Sequence, residues 1–387
     1  MIIEASHLTH TASGVRLESV VTLRGKSTVA YFEVDEAYGE YLTADRADPF
    51  LVAFFFYALT LGEDLEIRGR VTESLYYQIT STLLDFLVSI YPEKSLKPIR
   101  IIAETTPAPV QSRGAVGTGV SCGIDSLATI FRHQQHSCPS MALTHLCFFD
   151  TGSHGRPGEE KMEVLFRERR RLAYAFGEEA GLPVVEVRSN LSELVPLAFG
   201  LTHTYLNAAA ALALQPLFST YYYASGASVD SFLASNADPA YFDLYLLPLL
   251  STPALRFYVG EENIGRFEKT RIVAAGTLSR RFLNVCNDEP ENCGRCNKCI
   301  RTLLALDALG VVGEFGAVFD LESYRQLRDS HLVYHYKHYL KNNPSHLDLH
   351  PHLNGLLKFR HRFLGTLLYL RGKAGARLRK LAGIQRG

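Results

Sequence analysis

The chain has 387 residues and carries 40 Lys and Arg against 40 Asp and Glu, a formal net charge of zero. With 47% hydrophobic and 21% charged residues it has the composition of an ordinary globular protein, long enough for two domains. Its longest apolar-rich stretch, Pro49 to Leu61 (PFLVAFFFYALTL), is too short to span a bilayer, and MIIEASHLTH lacks the basic start and apolar run of a secretory signal, so the expectation is a soluble protein of the reducing cytoplasm.

In chain order, Val15 to Leu23 (VRLESVVTL) and Thr28 to Val34 (TVAYFEV) alternate apolar and polar residues, predicting half-buried strands. Asp48-Pro49 predicts a buried helix with Asp48 as N-cap and Pro49 at the first helical position. Leu65 to Val71 reads as a strand. Thr72 to about Ile90 reads as a helix with Leu75, Ile79, Leu83, Phe86 and Leu87 on its apolar side, and Leu96 to Ala103 as a further strand. Thr105 to Arg113 (TTPAPVQSR) has two prolines and no periodicity, which places a boundary there and a smaller α+β domain over residues 1–108.

Beyond it, strands at Arg113 to Val120, Ala142 to Phe149, Pro183 to Arg188 and Thr220 to Ala224 alternate with helices from Leu127, over Lys161 to Ala180 and over Tyr205 to Leu214. This is the pattern of an α/β domain, residues 109–312, with a parallel sheet and helices on both faces. Ligands of such sheets sit at the carboxyl ends of the strands, which groups Ser121 to Ser126, Asp150, Asn190 and Ser225 at one rim. The Gly-rich run Asp150 to Gly158 reads as a mobile loop over that rim.

Two motifs carry chemistry. Cys286, Cys293, Cys296 and Cys299 follow the spacing C-x6-C-x2-C-x2-C. Four thiolates close a tetrahedral zinc shell and leave no position for water, so such an ion would hold structure; the other reading of these residues is two disulfides. Upstream, RGAVGTGV runs into Ser121-Cys122-Gly123-Ile124-Asp125-Ser126 and then a helix. Strand, small-residue loop and helix start together can cradle phosphate with backbone N–H groups. A carboxylate beside phosphates needs a cation, so Asp125 reads as a magnesium ligand; the simpler reading is a helix capped by Ser and Asp. Arg266 and Lys269 share one helix face and read either as cations for an anionic ligand or as a surface pair. His203 reads as a structural histidine or a phosphate contact. His331, His335 and His338 share one helix face and read as a solvent-facing or interface stripe, the other reading being a metal site.

The hexapeptide Ser121–Ser126 resembles the SGGxDS loop of the PP-loop ATP pyrophosphatases. The run CGRCNKC, with Arg301 behind it, is similar to the zinc-binding end of the 7-cyano-7-deazaguanine synthase family within that group. The resemblance covers roughly residues 110–310, and Cys122 stands where the family has Gly. It implies a Rossmann-like fold of the adenine nucleotide alpha hydrolase type, ATP as co-substrate, Mg2+ and a structural Zn2+. It further implies nucleotide contacts from Ser121, Cys122, Gly123, Ile124, Asp125, Ser126, Phe149 and Asp150, chemistry from Asp125, Ser126, Arg266 and Lys269, and zinc on the four cysteines. The implied reaction is adenylation of a substrate, a carboxylate or other small molecule, followed by attack of ammonia or an amine. Two alternatives stay open: an RNA-modifying, thiolation-type enzyme, and a nucleotide-binding assembly protein without catalysis.

After Asp348 no acidic residue occurs, while nine basic ones do, from Lys358 to Arg386, in a helical region spanning residues 313–387. Such a tail can hold RNA, an acidic lipid surface or an acidic protein patch. Leu364, Leu367, Leu368, Leu370 and Leu378 within it predict an amphipathic helix docked on this protein or on a second copy in a homodimer.

Overall fold

A computed structural model describes residues 1–153 and 160–381, with side chains for all of these except residues 160 and 375–381. The loop expected over Asp150 to Gly158 lies mostly outside the described residues. The chain forms two compact units, one from residues 1–121 and 129–263, the other from residues 122–128 and 264–387.

The first unit is built on eleven strands: β1 (Ile2–Ile3), β2 (His7–Thr11), β3 (Gly14–Leu23), β4 (Lys26–Val34), β5 (Leu65–Thr72), β6 (Ile101–Thr106), β7 (Ala115–Gly119), β8 (His145–Asp150), β9 (Val184–Ser189), β10 (Phe218–Ala224) and β11 (Arg256–Gly260). They form one mostly parallel sheet in the order β11-β10-β7-β8-β9-β4-β3-β1-β5-β6, with β2 paired to β3. The strands β7 to β11 run parallel to their neighbours. Polarity reverses where β9 meets β4, at Phe32↔Ser189 and Glu33↔Arg188. Strands from residues 1–106 and strands from residues 115–260 therefore share one sheet. They also share one core, in which Phe32, Phe50 and Leu65 belong with Val187, Leu206 and Phe218.

Two helices that are apolar all round, Asp48–Leu61 and Phe199–Ala213, lie buried against each other, with Phe56 stacked on Tyr205 at 4.8 Å between ring centres. Asp48 differs from its expected role. Ala47 holds the N-cap position, and the Asp48 carboxylate accepts hydrogen bonds from the Thr72 N–H (2.7 Å) and hydroxyl (2.6 Å), tying the helix to the end of β5. The helix expected over Thr72 to Ile90 is present, but its middle, Ile79–Leu83, is a π-turn. β6 starts at Ile101 rather than Leu96, because its pairing with β5 begins at Leu65↔Ile101; it then runs to Thr106, into the segment read as a linker.

The second unit is helical: Arg266–Ala275, Asn297–Ala308, Leu321–Tyr339, Pro344–Leu349 and Phe359–Leu381 surround a small core of Ile300, Leu304, Leu332, Leu349 and Leu353. Residues 122–128 enter it as a loop and the first turn of the Ile124–His133 helix, which begins three residues before the expected Leu127. The histidine stripe is corrected here. His335 is fully buried, with His346 of the Pro344–Leu349 helix 3.0 Å from it, and His331 is buried beside the Tyr324 ring. The tail helix does dock, but by His361 and Gly365 against the Leu321–Tyr339 helix, while Leu364, Leu367, Leu368 and Leu370 face outward. The side chain of Leu378 is outside the described residues.

Candidate functional site

Within the second unit, the turn after β7 brings Asp125 into the first turn of a helix, where a carboxylate opposes the positive end of the helix dipole. Arg266 donates from Nη1 to Asp125 Oδ2 at 2.5 Å, and the Lys269 ammonium stands 3.8 Å from Oδ1. Asp125 Oδ1 accepts no hydrogen bond. Burial raises the Asp125 pKa, but the charges of Arg266 and Lys269 outweigh it, and the carboxyl is held below its ordinary value. Lys269 is 2% exposed, so the reading of Arg266 and Lys269 as a surface pair is set aside.

Arg301, from the Asn297–Ala308 helix, completes a cationic cluster. Burial and the neighbouring Arg266 lower its pKa to about 10, and its Nε has no hydrogen-bond partner. The adjacent Thr302 hydroxyl is also buried without a partner. Both residues line a cavity of about 10 Å³ with Arg266, Thr270 and Asp348, which is room for a single water. Arg266, Lys269, Lys298 and Arg301 thus all stand near Asp125, and a local concentration of cations of this kind attracts an incoming anion.

The neighbouring residues of the motif divide. Cys122 has φ +54°, the left-handed region that glycine enters without strain, and its carbonyl accepts from the Asn284 N–H at 2.9 Å. Its thiol is 1% exposed, and burial pushes it up to about 12. Gly123 accepts from the Leu127 N–H (2.9 Å) and from the buried Ser126 hydroxyl (3.4 Å), closing the turn on itself. Ile124 is fully buried. Ser121, exposed, belongs to the first unit.

The four cysteines come together. All four Sγ atoms lie within 4.8 Å of one another, with Cys286 to Cys296 at 3.9 Å and Cys293 to Cys299 at 4.0 Å. Sulfurs about 2.3 Å from one tetrahedral ion would stand roughly 3.8 Å apart, so the set fits zinc, and none of the four is in a disulfide. Backbone N–H groups of Arg295 and Cys296 point at the Cys293 sulfur (3.4 and 3.3 Å), and Gly294 supplies the left-handed turn between them. Asn292 braces the loop, donating to the Leu283 and Val318 carbonyls (2.8 and 3.0 Å) and accepting from the Val285 N–H (2.8 Å).

The remaining expected residues lie in the first unit. Phe149 is buried and stacks on Tyr221, so its ring serves the core. Asp150 ends β8, and burial with the nearby Glu186 raises its carboxyl to about 6. Asn190 bridges to β4, accepting from the Tyr31 N–H (3.1 Å) and donating to the Val29 carbonyl (2.8 Å). His203 is a satisfied histidine, held between the Tyr223 hydroxyl and Asp238 at 2.8 Å each. Ser225 donates to Asp243 at 2.9 Å, and Thr204 donates to the same carboxylate at 2.8 Å.

Lys298 sits within the cysteine run, and Thr302 and Asp243 belong to no motif; Asp243 stands out in the sequence as a lone acid in the apolar run FDLYLLP, and Thr302 carries no such signal. No family model, no curated protein and no solved structure matches this chain.

Proposed function

We propose that this protein is an ATP-dependent synthetase of the PP-loop type, which adenylates a small-molecule substrate and releases pyrophosphate. The observation that supports it most is the buried cationic cluster of Arg266, Lys269 and Arg301 around Asp125, on the loop whose sequence resembles a pyrophosphate loop. In the proposed reaction a substrate oxygen attacks the α-phosphorus of ATP. The bond to the β-phosphate breaks, and pyrophosphate leaves with its negative charge opposite Lys269 and the arginines. An amine or ammonia then attacks the activated carbon, AMP departs, and the nitrogen loses its proton to solvent. Positioning and charge stabilisation carry such a reaction, with no covalent protein intermediate.

Asp125 is a poor resting site for magnesium, because Arg266 and Lys269 already face its carboxylate. With phosphates present to offset those cations, Oδ1 is the atom that would reach the ion, which supplies charge neutralisation for the leaving group. The zinc cluster fits a structural role, since four cysteines leave no reacting position.

The test is calorimetric titration of the full chain with ATP, with and without magnesium, alongside Lys269→Met and Asp125→Asn. Magnesium-dependent binding is expected, weakened at least about tenfold by Lys269→Met, with AMP formation lost in Asp125→Asn. ATP affinity unchanged in Lys269→Met, or no ATP binding by the parent protein, rejects the proposal.

A further inference from the structure

The helix Phe359–Leu381 is fastened to its unit by one narrow face. His361 is 1% exposed and lies 2.9 Å from Asp329, and Gly365 sits so close to Tyr336 that a Cβ there would be 3.0 Å from its ring. At 100° per residue, the opposite side carries Phe359, Phe363, Leu367 and Leu370 in steps of three and four. Phe359 is 82% exposed, Phe363 58% and Leu370 54%. Of the sixteen large hydrophobic residues exposed among the described residues, six lie on this helix, between Phe359 and Leu370.

Cations border this stripe on both sides, Arg360 and Arg371 along one edge, Arg362 and Lys373 along the other. Arg360 pairs with Asp329, but no carboxylate among the described residues pairs with Arg362, Arg371 or Lys373. The sequence offers none nearby, since the last acidic residue is Asp348. An apolar stripe flanked by lysine and arginine fits the boundary between headgroups and acyl chains, with the stripe in the apolar layer and the cations among the phosphates. No helix of the described residues is long and apolar enough to cross a membrane, so the fit is to a helix lying in the surface plane.

We infer that the Phe359–Leu381 helix docks this protein on an anionic lipid surface, with Phe359, Phe363, Leu367 and Leu370 inserted. A second copy suits the stripe less well, because pairing two such helices brings their basic borders together. RNA suits it less well too, because Leu364, Leu367, Leu368 and Leu370 outnumber the two rings, Phe359 and Phe363, on which bases could stack. The inference stands independently of the proposed catalysis.

Flotation of the full chain with phosphatidylcholine vesicles, with and without about a third phosphatidylserine, tests it. Binding is expected only to the anionic vesicles and weaker in high salt. Phe363→Ser with Leu367→Ser should lower it at least about tenfold while leaving the circular dichroism and thermal midpoint unchanged, since both side chains are exposed. Arg371→Gln with Lys373→Gln should remove the preference for the anionic vesicles. Three outcomes overturn the inference: no binding of the parent protein to anionic vesicles, binding unaffected by the serine pair, or a parent dimer that the serine pair converts to monomer without vesicle binding. Salt-sensitive RNA binding, with vesicle binding absent, overturns it in favour of nucleic acid.

Discussion

At the scale of single residues, Cys122 is the position where this chain departs from the loop it resembles, and the backbone explains both residues. With φ at +54°, the site favours glycine, and an L-residue there carries roughly 1–2 kcal/mol of strain. The chain offsets part of this by burying the thiol, which also raises its pKa to about 12 and leaves almost no thiolate at neutral pH. Iodoacetamide, followed by mass spectrometry, should therefore label Cys122 at least about a hundredfold more slowly than the exposed Cys138. Cys122→Gly should unfold within about 1 kcal/mol of the parent and, under the proposed function, bind ATP as the parent does. Rapid alkylation of Cys122 blocked by ATP would instead make the thiol a participant in the chemistry. The sequence disclosed that this position was unusual; it could not disclose the left-handed backbone, which depends on how the turn closes through Gly123, Ser126 and Leu127.

At the scale of elements, what was legible in the sequence was local. Spacing alone grouped the four cysteines, since two-residue gaps bring sulfurs together whatever the rest of the fold does. We expect one zinc per chain by elemental analysis. Its removal by chelator, or Cys296→Ser, should lower the unfolding midpoint by roughly 10 °C or more in scanning calorimetry. A full thermal match between the zinc-free and zinc-bound protein would show that the cluster holds nothing. Periodicity fared differently in the histidine-bearing helix Leu321–Tyr339. Its polar composition reads as an exposed face, yet His335 is buried because two residues of the histidine-rich stretch that follows, His346 and His350, meet its ring, and Asn297 from an earlier helix meets His346 in turn. Polar partners that arrive from elsewhere in the chain leave no trace in the local pattern. Arg266 and Lys269 show the same limit, for their shared face was readable but the carboxylate they converge on lies 141 and 144 positions away in the chain.

At the scale of the first unit's sheet, the pairing of β4 with β9 decides how residues 1–106 relate to the strands from 115–260. Glu33 sits on that pairing, 2% exposed, bonded to Arg16 on β3 and facing Arg188 on β9 at 3.2 Å. Burial raises its pKa, but the Ser13 hydroxyl and the Arg16 guanidinium lower it further, so the net shift is downward. A carboxyl with a depressed folded-state pKa stabilises fully above its ordinary value of 4.5, and that contribution is lost as pH falls below it. Glu33→Ala should cost about 1–2 kcal/mol near neutral pH, because it removes the hydrogen bonds from Ser13 and Arg16 while both arginines keep water and Arg188 keeps Asp35 and Glu186, and Glu33→Gln should flatten the loss of stability on acidification. Urea unfolding at neutral and acid pH checks both, and equal denaturation midpoints for parent and Glu33→Ala would reject the argument. None of this could be read from the sequence, where prolines between Thr105 and Arg113 mark a break in periodicity but not a break in the sheet.

The continuity of that sheet also gives the first hundred residues a use that needs no ligand. A parallel array ending at β9 would present a row of unpaired N–H and C=O groups, the template on which chains add to one another. With β4 paired to its end at Arg188 and Ser189, β9 is no longer the last strand, and the open boundary moves out to β6, whose last pairs with β5 are made by Thr105 and Thr106. The N-terminal strands thus act as a selvedge, finishing the edge of a sheet that would otherwise fray into aggregation.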